Sequence, residues 1–125
     1  MVTLYQFAGQ YKGIVVGTGN KVEDYGVGFY TKYGDGGVDI APIADLYKSE
    51  VWDLGKSLGV DSRIIEAKPT DGLWDDGRTD EDQLGATYSE LEEAMETGKG
   101  TGLKVLEEYA RMNAHKMNPI PTFTL

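Results

Sequence analysis

The chain has 125 residues, a net charge of −9 and no cysteine, with 40% hydrophobic and 26% charged residues. This is the size and composition of one small soluble domain or of part of a larger one. The lack of cysteine excludes disulfides, thiolate metal sites and a cysteine nucleophile. No apolar run is long enough to span a membrane and no signal peptide is visible, so we expect a cytoplasmic protein.

The negative charge is concentrated in one stretch. Positions 71–96 contain ten Asp and Glu residues and a single base, Arg78, whereas acids and bases balance in the rest of the chain. The sequence therefore lacks the cluster of Lys and Arg residues that is typical of nucleic-acid-binding proteins. The acidic stretch is typical of a solvated loop and helix face, and the neutral remainder can bind an anionic small molecule if its lysines converge.

The first predicted elements are a helix and two short strands. An apolar stripe of Leu4, Phe7 and Tyr11 indicates a helix that begins at the first residue without a cap. Positions 13–17 are apolar between two glycines, which predicts a short buried parallel strand. Positions 38–43 predict a second strand that ends at Pro42.

Helices are predicted for most of the remaining chain. A stripe from Tyr47 to Leu58 predicts one helix, with Gly59 as its C-terminal cap. The turn-rich positions 68–79 predict a mobile loop. Capping boxes at Thr79 and Thr87 predict two further helix starts.

The helix after Thr87 should bury Leu91 and Met95 and stop at Gly98, and a last helix should carry Leu106 and Tyr109. Two strands are too few for a parallel sheet covered on both faces. The first helix also needs a surface to pack against. We therefore expect the chain to be the C-terminal portion of a longer α/β polypeptide.

A Gly-Thr-Gly turn directly follows the first predicted strand, where open α/β sheets place their ligands. Thr18 can be the N-cap of a helix or a donor to a nucleotide. Glu23 can be a first-turn acid that the helix dipole favours, or a hard oxygen ligand for Mg²⁺. Each of these two residues, considered alone, favours the structural interpretation.

Several more candidates lie around a glycine-rich turn and at the end of the chain. Lys32 and Asp39 flank the turn and Asp35 lies within it, so the segment is either an ordinary loop or a flexible arm that reaches a reaction centre. Lys48 opens a helix at a polar position, where solvation is an equally good explanation. His115 can be a helix-end cap, or it can bind an anion together with Lys116.

Four segments nevertheless occur together, in the order GTGNKVE, FYTKYGDGGVDIAPIADLYKSEVWDLGKSLGV, KPTDGLWDDGRTDEDQLGATYSELE and HKMNPIPTF. In this order they resemble the C-terminal half of the bacterial NAD⁺ synthetase family. The resemblance implies an α/β fold. This chain would be the C-terminal part of an adenine-nucleotide α-hydrolase-like (Rossmann-like) three-layer fold, with a helical C-terminal portion. Positions 1–125 would then be the C-terminal segment of a single domain. Family members carry an upstream S-G-G-x-D-S pyrophosphate loop, and this chain contains no Ser-Gly-Gly.

The resemblance also implies a reaction. Deamido-NAD⁺ is adenylated by ATP with loss of pyrophosphate, and ammonia then displaces AMP to form the amide. Carried over by motif, Glu23 holds Mg²⁺ and Asp35 handles the ammonia proton as the candidate catalytic residue. The expected ATP contacts are Thr18, Lys48 and Thr70, and the expected deamido-NAD⁺ contacts are Lys32, Asp39, His115 and Lys116.

Family members are homodimers, which would give the first helix a partner, and free ammonia is the expected nitrogen source because no glutaminase domain is present. This chain has one extra residue between Glu23 and Lys32 relative to the commoner family spacing. Two alternatives stay open. One is a non-catalytic nucleotide-binding fragment that lacks the pyrophosphate loop, and the other is a structural or dimerisation fragment.

Overall fold

The computed structural model describes residues 1–124. Its regular structure is helical apart from one β-bridge. The elements are α1 (Val2–Tyr11), a π-helix (Lys21–Val27), α2 (Lys48–Ser57), α3 (Ser62–Ile65), α4 (Asp80–Leu84), α5 (Tyr88–Thr97) and α6 (Leu103–Met117). No helix among these residues is both long and apolar enough to cross a lipid bilayer.

The two predicted strands meet but do not form a sheet. Val16 and Ile40 form a parallel bridge, and the Gly17 N–H donates to the Ile40 carbonyl at 2.7 Å. The prediction of a fully buried strand is wrong. Val15 is buried, but Ile14 and Val16 are 59% and 53% exposed because no neighbouring strand or helix layer within residues 1–124 covers them.

The predicted helices are confirmed, and so are their ends. α1 begins directly after Met1 without a side-chain cap. α2 stops before Gly59, which has a φ of +74°, and α5 stops at Gly98, whose φ is +65°. The segment predicted as a loop, 68–79, contains neither helix nor strand.

Both predicted capping boxes are present. In α4 the Thr79 hydroxyl accepts from the Asp82 N–H at 3.1 Å, and the Asp82 carboxylate accepts from the Thr79 N–H at 2.9 Å. In α5 Thr87 and Glu90 make the same reciprocal pair at 3.2 and 2.9 Å. These bonds satisfy N–H groups that a helix start leaves without intrahelical partners. They fix where α4 and α5 begin.

The core lies between the π-helix, α5 and α6. Its fully buried side chains are Val22, Val27 and Leu91. The π-helix approaches its neighbours closely at two glycines. A Cβ at Gly26 would lie 2.8 Å from the Met95 sulfur, and Gly28, with a φ of +66°, leaves no room beside Asn113. This packing fixes the position of the π-helix and of the acids it carries.

The structural interpretation of Thr18 and Glu23 implies a helix here, but neither its π geometry nor its cap was predicted. The buried side chain of Asn20, rather than Thr18, caps it by accepting from the N–H groups of Val22 and Glu23, each at 3.0 Å. The Gly28 N–H reaches back five residues to the Glu23 carbonyl. π-helical turns are rare and occur often at functional sites.

The apolar face of α1 is exposed. Leu4, Phe7 and Tyr11 are 54%, 51% and 72% exposed, and they border a cleft that continues along positions 14–16. The expectation that this face has little to pack against within the chain is therefore confirmed.

Candidate functional site

The centre of the candidate site is an ion pair between the π-helix and α2. The Lys48 ammonium lies 2.7 Å from Glu23 Oε1, and the two side chains are only 17% and 16% exposed. Asn20 Nδ2 donates to the other carboxylate oxygen, Oε2. Glu23 is thus held on both oxygens, on a helix that starts two residues after the Gly-Thr-Gly turn.

Two residues that sequence analysis missed complete this cluster. Tyr88, which is 2% exposed, donates its hydroxyl to Glu23 Oε1 at 2.5 Å. Asp80 is 8% exposed, lies 3.5 Å from the same hydroxyl, and its Oδ1 has no hydrogen-bond partner among the described residues. The only sequence signal for either residue is its place in the first turn of a helix with a capping box, which also fits an ordinary core residue.

Burial and like charges perturb the titration of this region. Burial, and then the neighbouring Glu23 and Asp35, raise the pKa of Asp24 from 3.8 to about 6. Burial followed by Glu23 raises the pKa of Asp80, with Lys48 opposing the shift. Burial, and then the hydrogen bond to Glu23, also raises the pKa of Tyr88. Perturbed groups of this kind cluster at functional sites.

The Gly-Thr-Gly turn lies against this region. The Asp24 carboxylate sits directly over Gly19, where any Cβ would collide with it, so only glycine allows this contact. Thr18 between the two glycines is exposed. The turn therefore packs against a carboxylate at Gly19 and exposes Thr18 to solvent.

A second group of predicted residues meets between the glycine-rich turn and the end of α6. Lys32 Nζ donates to the His115 carbonyl at 2.6 Å. Lys116 Nζ donates to the carbonyls of Gly28 and Tyr30 at 2.7 and 2.6 Å. The terminal helix is thereby tied to the chain just before the turn.

This group borders a cavity of about 530 Å³. Aromatic, acidic and basic side chains line it, together with the start of the 68–79 loop. Asp35 is one of the lining residues, and its Oδ1 accepts from the Thr31 N–H at 2.8 Å. The other lining residues are Phe29, Tyr30, Thr31, Asp71, Leu73 and Lys116.

Two predicted residues lie outside both groups. Asp39 uses its carboxylate to accept from the Val15 N–H at 2.8 Å, which ties the two halves of the β-bridge together. Thr70 donates its hydroxyl to the Arg78 carbonyl at 3.2 Å, across the base of the loop. The structure thus pairs Glu23 with Lys48 and brings Lys32, Asp35, His115 and Lys116 together, whereas Asp39 and Thr70 make local structural contacts.

Mg²⁺ binds hard oxygen ligands, so the carboxylates of the site are the side chains that bear on a metal site. The described residues contain no group of three or more His, Asp or Glu side chains that could hold a metal ion. Mg²⁺ in nucleotide sites usually takes one or two carboxylates, with water and phosphate oxygens as its other ligands. Glu23 fits that requirement, because its Oε2 accepts one hydrogen bond and keeps a free lone pair.

A parallel β-bridge, a glycine turn behind it and an acid–lysine pair beyond it fit a protein of the open α/β class. The chain belongs to the NAD synthase family, whose sequence model matches residues 1–121. The relatives include the NH(3)-dependent NAD(+) synthetase of Alkaliphilus oremlandii, 46% identical, for which the match covers 98% of this chain and 49% of the relative. The enzyme of the same name from Archaeoglobus fulgidus is 47% identical over 96% of this chain and 44% of the relative.

Two solved structures show the fold. NMN synthetase from Francisella tularensis superposes with a TM-score of 0.87 at 40% identity, covering 99% of this chain and 52% of that one. The NH3-dependent NAD synthetase of Campylobacter jejuni gives a TM-score of 0.70 at 28% identity, covering 99% and 51%. The predicted adenine-nucleotide α-hydrolase-like fold class is confirmed. The chain spans about half the length of these relatives, which include archaeal as well as bacterial proteins.

Proposed function

We propose that this chain contributes the metal, ATP and substrate contacts of an enzyme that makes NAD⁺ from deamido-NAD⁺, ATP and ammonia. The observation that carries the proposal is the Glu23–Lys48 pair, held beside the Gly-Thr-Gly turn in a family of NH(3)-dependent NAD(+) synthetases. The same proposal includes a homodimer that covers the exposed face of α1, and a cytoplasmic location.

The reaction has two steps. An oxygen of the nicotinate carboxylate attacks the α-phosphorus of ATP, and the bond to the departing pyrophosphate breaks. The nitrogen of ammonia then attacks the acyl carbon of the adenylate. A proton leaves the nitrogen, and AMP departs with the electron pair of the broken C–O bond.

The residues around the ion pair bind ATP in this proposal. Lys48 supplies a positive charge to the phosphates, and the hydroxyls of Thr18 and Thr70 donate to the nucleotide. Glu23 would hold Mg²⁺, which neutralises charge on the phosphates when it is bound. Because Glu23 and Lys48 are largely buried, water weakens the attraction of Lys48 to phosphate and of Glu23 to Mg²⁺ less than it would at the surface.

The second group of residues binds the substrate that is amidated. Lys32, His115 and Lys116 offer donors to the anionic groups of deamido-NAD⁺, and Asp39 completes the set from the other end of the turn. Asp35 lines the cavity beside Lys116, where it can accept a proton from the attacking nitrogen. The cavity of about 530 Å³ lies in the size range of small-molecule sites.

A second substrate is favoured by one comparison. The Francisella tularensis structure, which superposes with a TM-score of 0.87, is an NMN synthetase. In that case the carboxylate that is activated belongs to nicotinate mononucleotide, and the adenosine half of deamido-NAD⁺ is absent. The chemistry at the acyl carbon is unchanged.

A chimera tests the proposal. The chain replaces the matching half of the Alkaliphilus oremlandii synthetase, and both substrates are supplied with ATP, Mg²⁺ and ammonium. Amide formation from deamido-NAD⁺ above that from the mononucleotide supports NAD⁺ synthesis, and the reverse supports NMN synthesis. A folded chimera that binds ATP without forming either amide would leave the alternative of a non-catalytic nucleotide-binding fragment.

A further inference from the structure

Tyr88 contacts both charged side chains of the Glu23–Lys48 pair. Its hydroxyl donates to Glu23 Oε1 at 2.5 Å, and the Lys48 ammonium lies 5.1 Å from the centroid of its ring. The ring itself is fixed. The residue is only 2% exposed, and Trp52 packs edge-on against the ring with the ring centroids 6.0 Å apart. The backbone N–H of Tyr88 also donates to Glu81 Oε1 at 2.8 Å, which holds the start of α5.

We propose that Tyr88 is a positioning residue that holds the Glu23 carboxylate and the Lys48 ammonium in one arrangement before any ligand binds. The inference rests on the proposed function, which assigns Glu23 to Mg²⁺ and Lys48 to ATP. Tyr88 itself touches neither ligand in this proposal, and it acts through the two residues that do.

A third group is needed because the pair is built from two flexible side chains. Glu23 and Lys48 lie on different elements, 25 positions apart, and fixing such side chains costs conformational entropy. Asn20 restrains only the far oxygen of Glu23. Tyr88 comes from a third element, α5, and its rigid ring restrains Oε1 and the ammonium together.

The distances show that the Tyr88 hydroxyl donates its hydrogen bond to Glu23 and not to Asp80. Asp80 is the competing acceptor, but its Oδ2 lies at 3.5 Å, the outer limit of a hydrogen bond, compared with 2.5 Å for Glu23. A tyrosine hydroxyl is protonated at neutral pH and has one proton to donate. The tyrosine also separates the carboxylates of Glu23 and Asp80, which repel each other.

The first test uses the full chain without ligand. Tyr88→Phe removes one oxygen and keeps the ring, and Tyr109→Phe is the matched control, because its hydroxyl donates to the Gln83 carbonyl at 3.1 Å in the same core. Both variants lose one buried hydrogen bond. By NMR, hydrogen exchange of the Lys48 ammonium should become about 10- to 100-fold faster in Tyr88→Phe only, and the Glu23 ¹³Cδ resonance should shift. Unchanged Lys48 exchange and an unchanged Glu23 resonance would overturn the proposal.

The wild-type chain provides a check that does not depend on the variant folding. A hydroxyl held by a short bond to a buried carboxylate exchanges slowly with water. The Tyr88 hydroxyl proton should therefore be visible by NMR, with a nuclear Overhauser contact to the Glu23 side chain. A hydroxyl proton that is visible for Tyr109 but not for Tyr88 contradicts the inference.

Binding of Mg²⁺–ATP separates this inference from the proposed function. If the wild-type chain binds Mg²⁺–ATP, Tyr88→Phe should weaken binding about 10- to 100-fold and Tyr109→Phe should leave it unchanged. If the wild-type chain does not bind Mg²⁺–ATP while Lys48 exchange still depends on Tyr88, the positioning role stands and the ATP assignment fails. Equal binding by the wild-type chain and Tyr88→Phe overturns the positioning role.

Discussion

Glu23 offers the most direct single-residue test of the proposed metal site. In the active chimera, Glu23→Gln should lower amide formation by at least about tenfold, and higher Mg²⁺ should restore part of it, since the amide keeps the shape and removes the charge. The measurement is the initial rate against Mg²⁺ concentration. Glu107→Gln, on the exposed face of α6, is the control. A variant with the Mg²⁺ dependence of the wild type would rule out the metal assignment.

A variant of Asp35 can distinguish a role in proton transfer from a role in shaping the turn. Its Oδ1 accepts from the Thr31 N–H, and an asparagine can keep that bond while losing the ability to take a proton. If Asp35 acts as a base, Asp35→Asn in the chimera should slow amide formation about 100-fold and leave first-turnover pyrophosphate release close to wild type. Higher pH should restore part of the rate by supplying free ammonia. Parallel assays of pyrophosphate and amide decide the question, because an equal loss of both means that Asp35 only positions the substrate.

Asp24 should make the chain less stable as the pH rises. Its folded-state pKa of about 6 exceeds the ordinary value of 3.8, so the folded chain holds this proton more tightly than the unfolded chain. Stability is therefore lost between about pH 4 and pH 6 and stays low above that window. The pKa difference corresponds to roughly 3 kcal/mol, which partial exposure reduces to about 1–2 kcal/mol.

Asp24→Asn removes this effect. The variant should be about 1–2 kcal/mol more stable than wild type at pH 7 and equal to it below pH 4. Urea unfolding at a series of pH values measures the difference. Asp75→Asn, in the exposed loop, should leave the pH dependence as it is. A constant difference between Asp24→Asn and wild type across the pH range would contradict the prediction.

At the scale of elements, the loop before α4 is expected to respond to nucleotide. Within it Arg78 lies over the Trp74 ring at 4.5 Å and pairs with Asp76, while Leu73 and Trp74 are 79% and 54% exposed. Positions 80–82 already belong to α4, so the expectation is restricted to positions 71–79, which should be disordered without ligand and order over bound ATP or acyl-adenylate, excluding water from a hydrolysable intermediate.

Amide hydrogen exchange of the chimera measures this ordering. Protection at positions 71–79 should increase when ATP and Mg²⁺ are added, and the amides of α5, already within a capped helix, should change little. Exchange that is equal with and without nucleotide would mean that the loop has no role in covering the site.

The sequence predicted helices well wherever local signals define both ends. The boxes at Thr79 and Thr87 and the glycines at 59 and 98 act within one turn of chain, so their outcome does not depend on distant residues. The π-helix escaped prediction because it has no apolar period of its own. It is defined by the Asn20 cap and by glycines that let it approach α5 and α6, and that packing is tertiary.

The candidate site was also predicted only in part, because tertiary packing brings some of its residues together. The resemblance supplied Glu23 and Lys48, and the structure pairs them. Tyr88 and Asp80 carry no motif, and only the folding of α4 and α5 against the π-helix brings them to Glu23. The roles of the predicted ligand-binding residues stay predictions.

At the scale of the whole molecule, the exposed β-bridge and the bare face of α1 show an incomplete sheet layer. Ile14, Val16 and Ile40 are all about half exposed, whereas parallel strands are normally covered on both faces. The core between the π-helix, α5 and α6 does not depend on that layer. The chain therefore contains a well-packed helical core beside an open sheet edge.

This division predicts how the isolated chain behaves. It should not make NAD⁺ from deamido-NAD⁺, ATP and ammonia, because its sequence lacks the S-G-G-x-D-S loop that would stabilise the departing pyrophosphate, whereas the chimera regains one from its partner half. The assay is NAD⁺ formation by the purified chain at high concentration, with Glu23→Ala as the control for contaminating enzyme. Turnover by the chain that Glu23→Ala abolishes would show that these 125 residues suffice for catalysis. Turnover that survives Glu23→Ala would come from a contaminant. No NAD⁺ formation by the chain, together with activity of the chimera, would place pyrophosphate stabilisation in the other half and the Glu23–Lys48 contacts in this one.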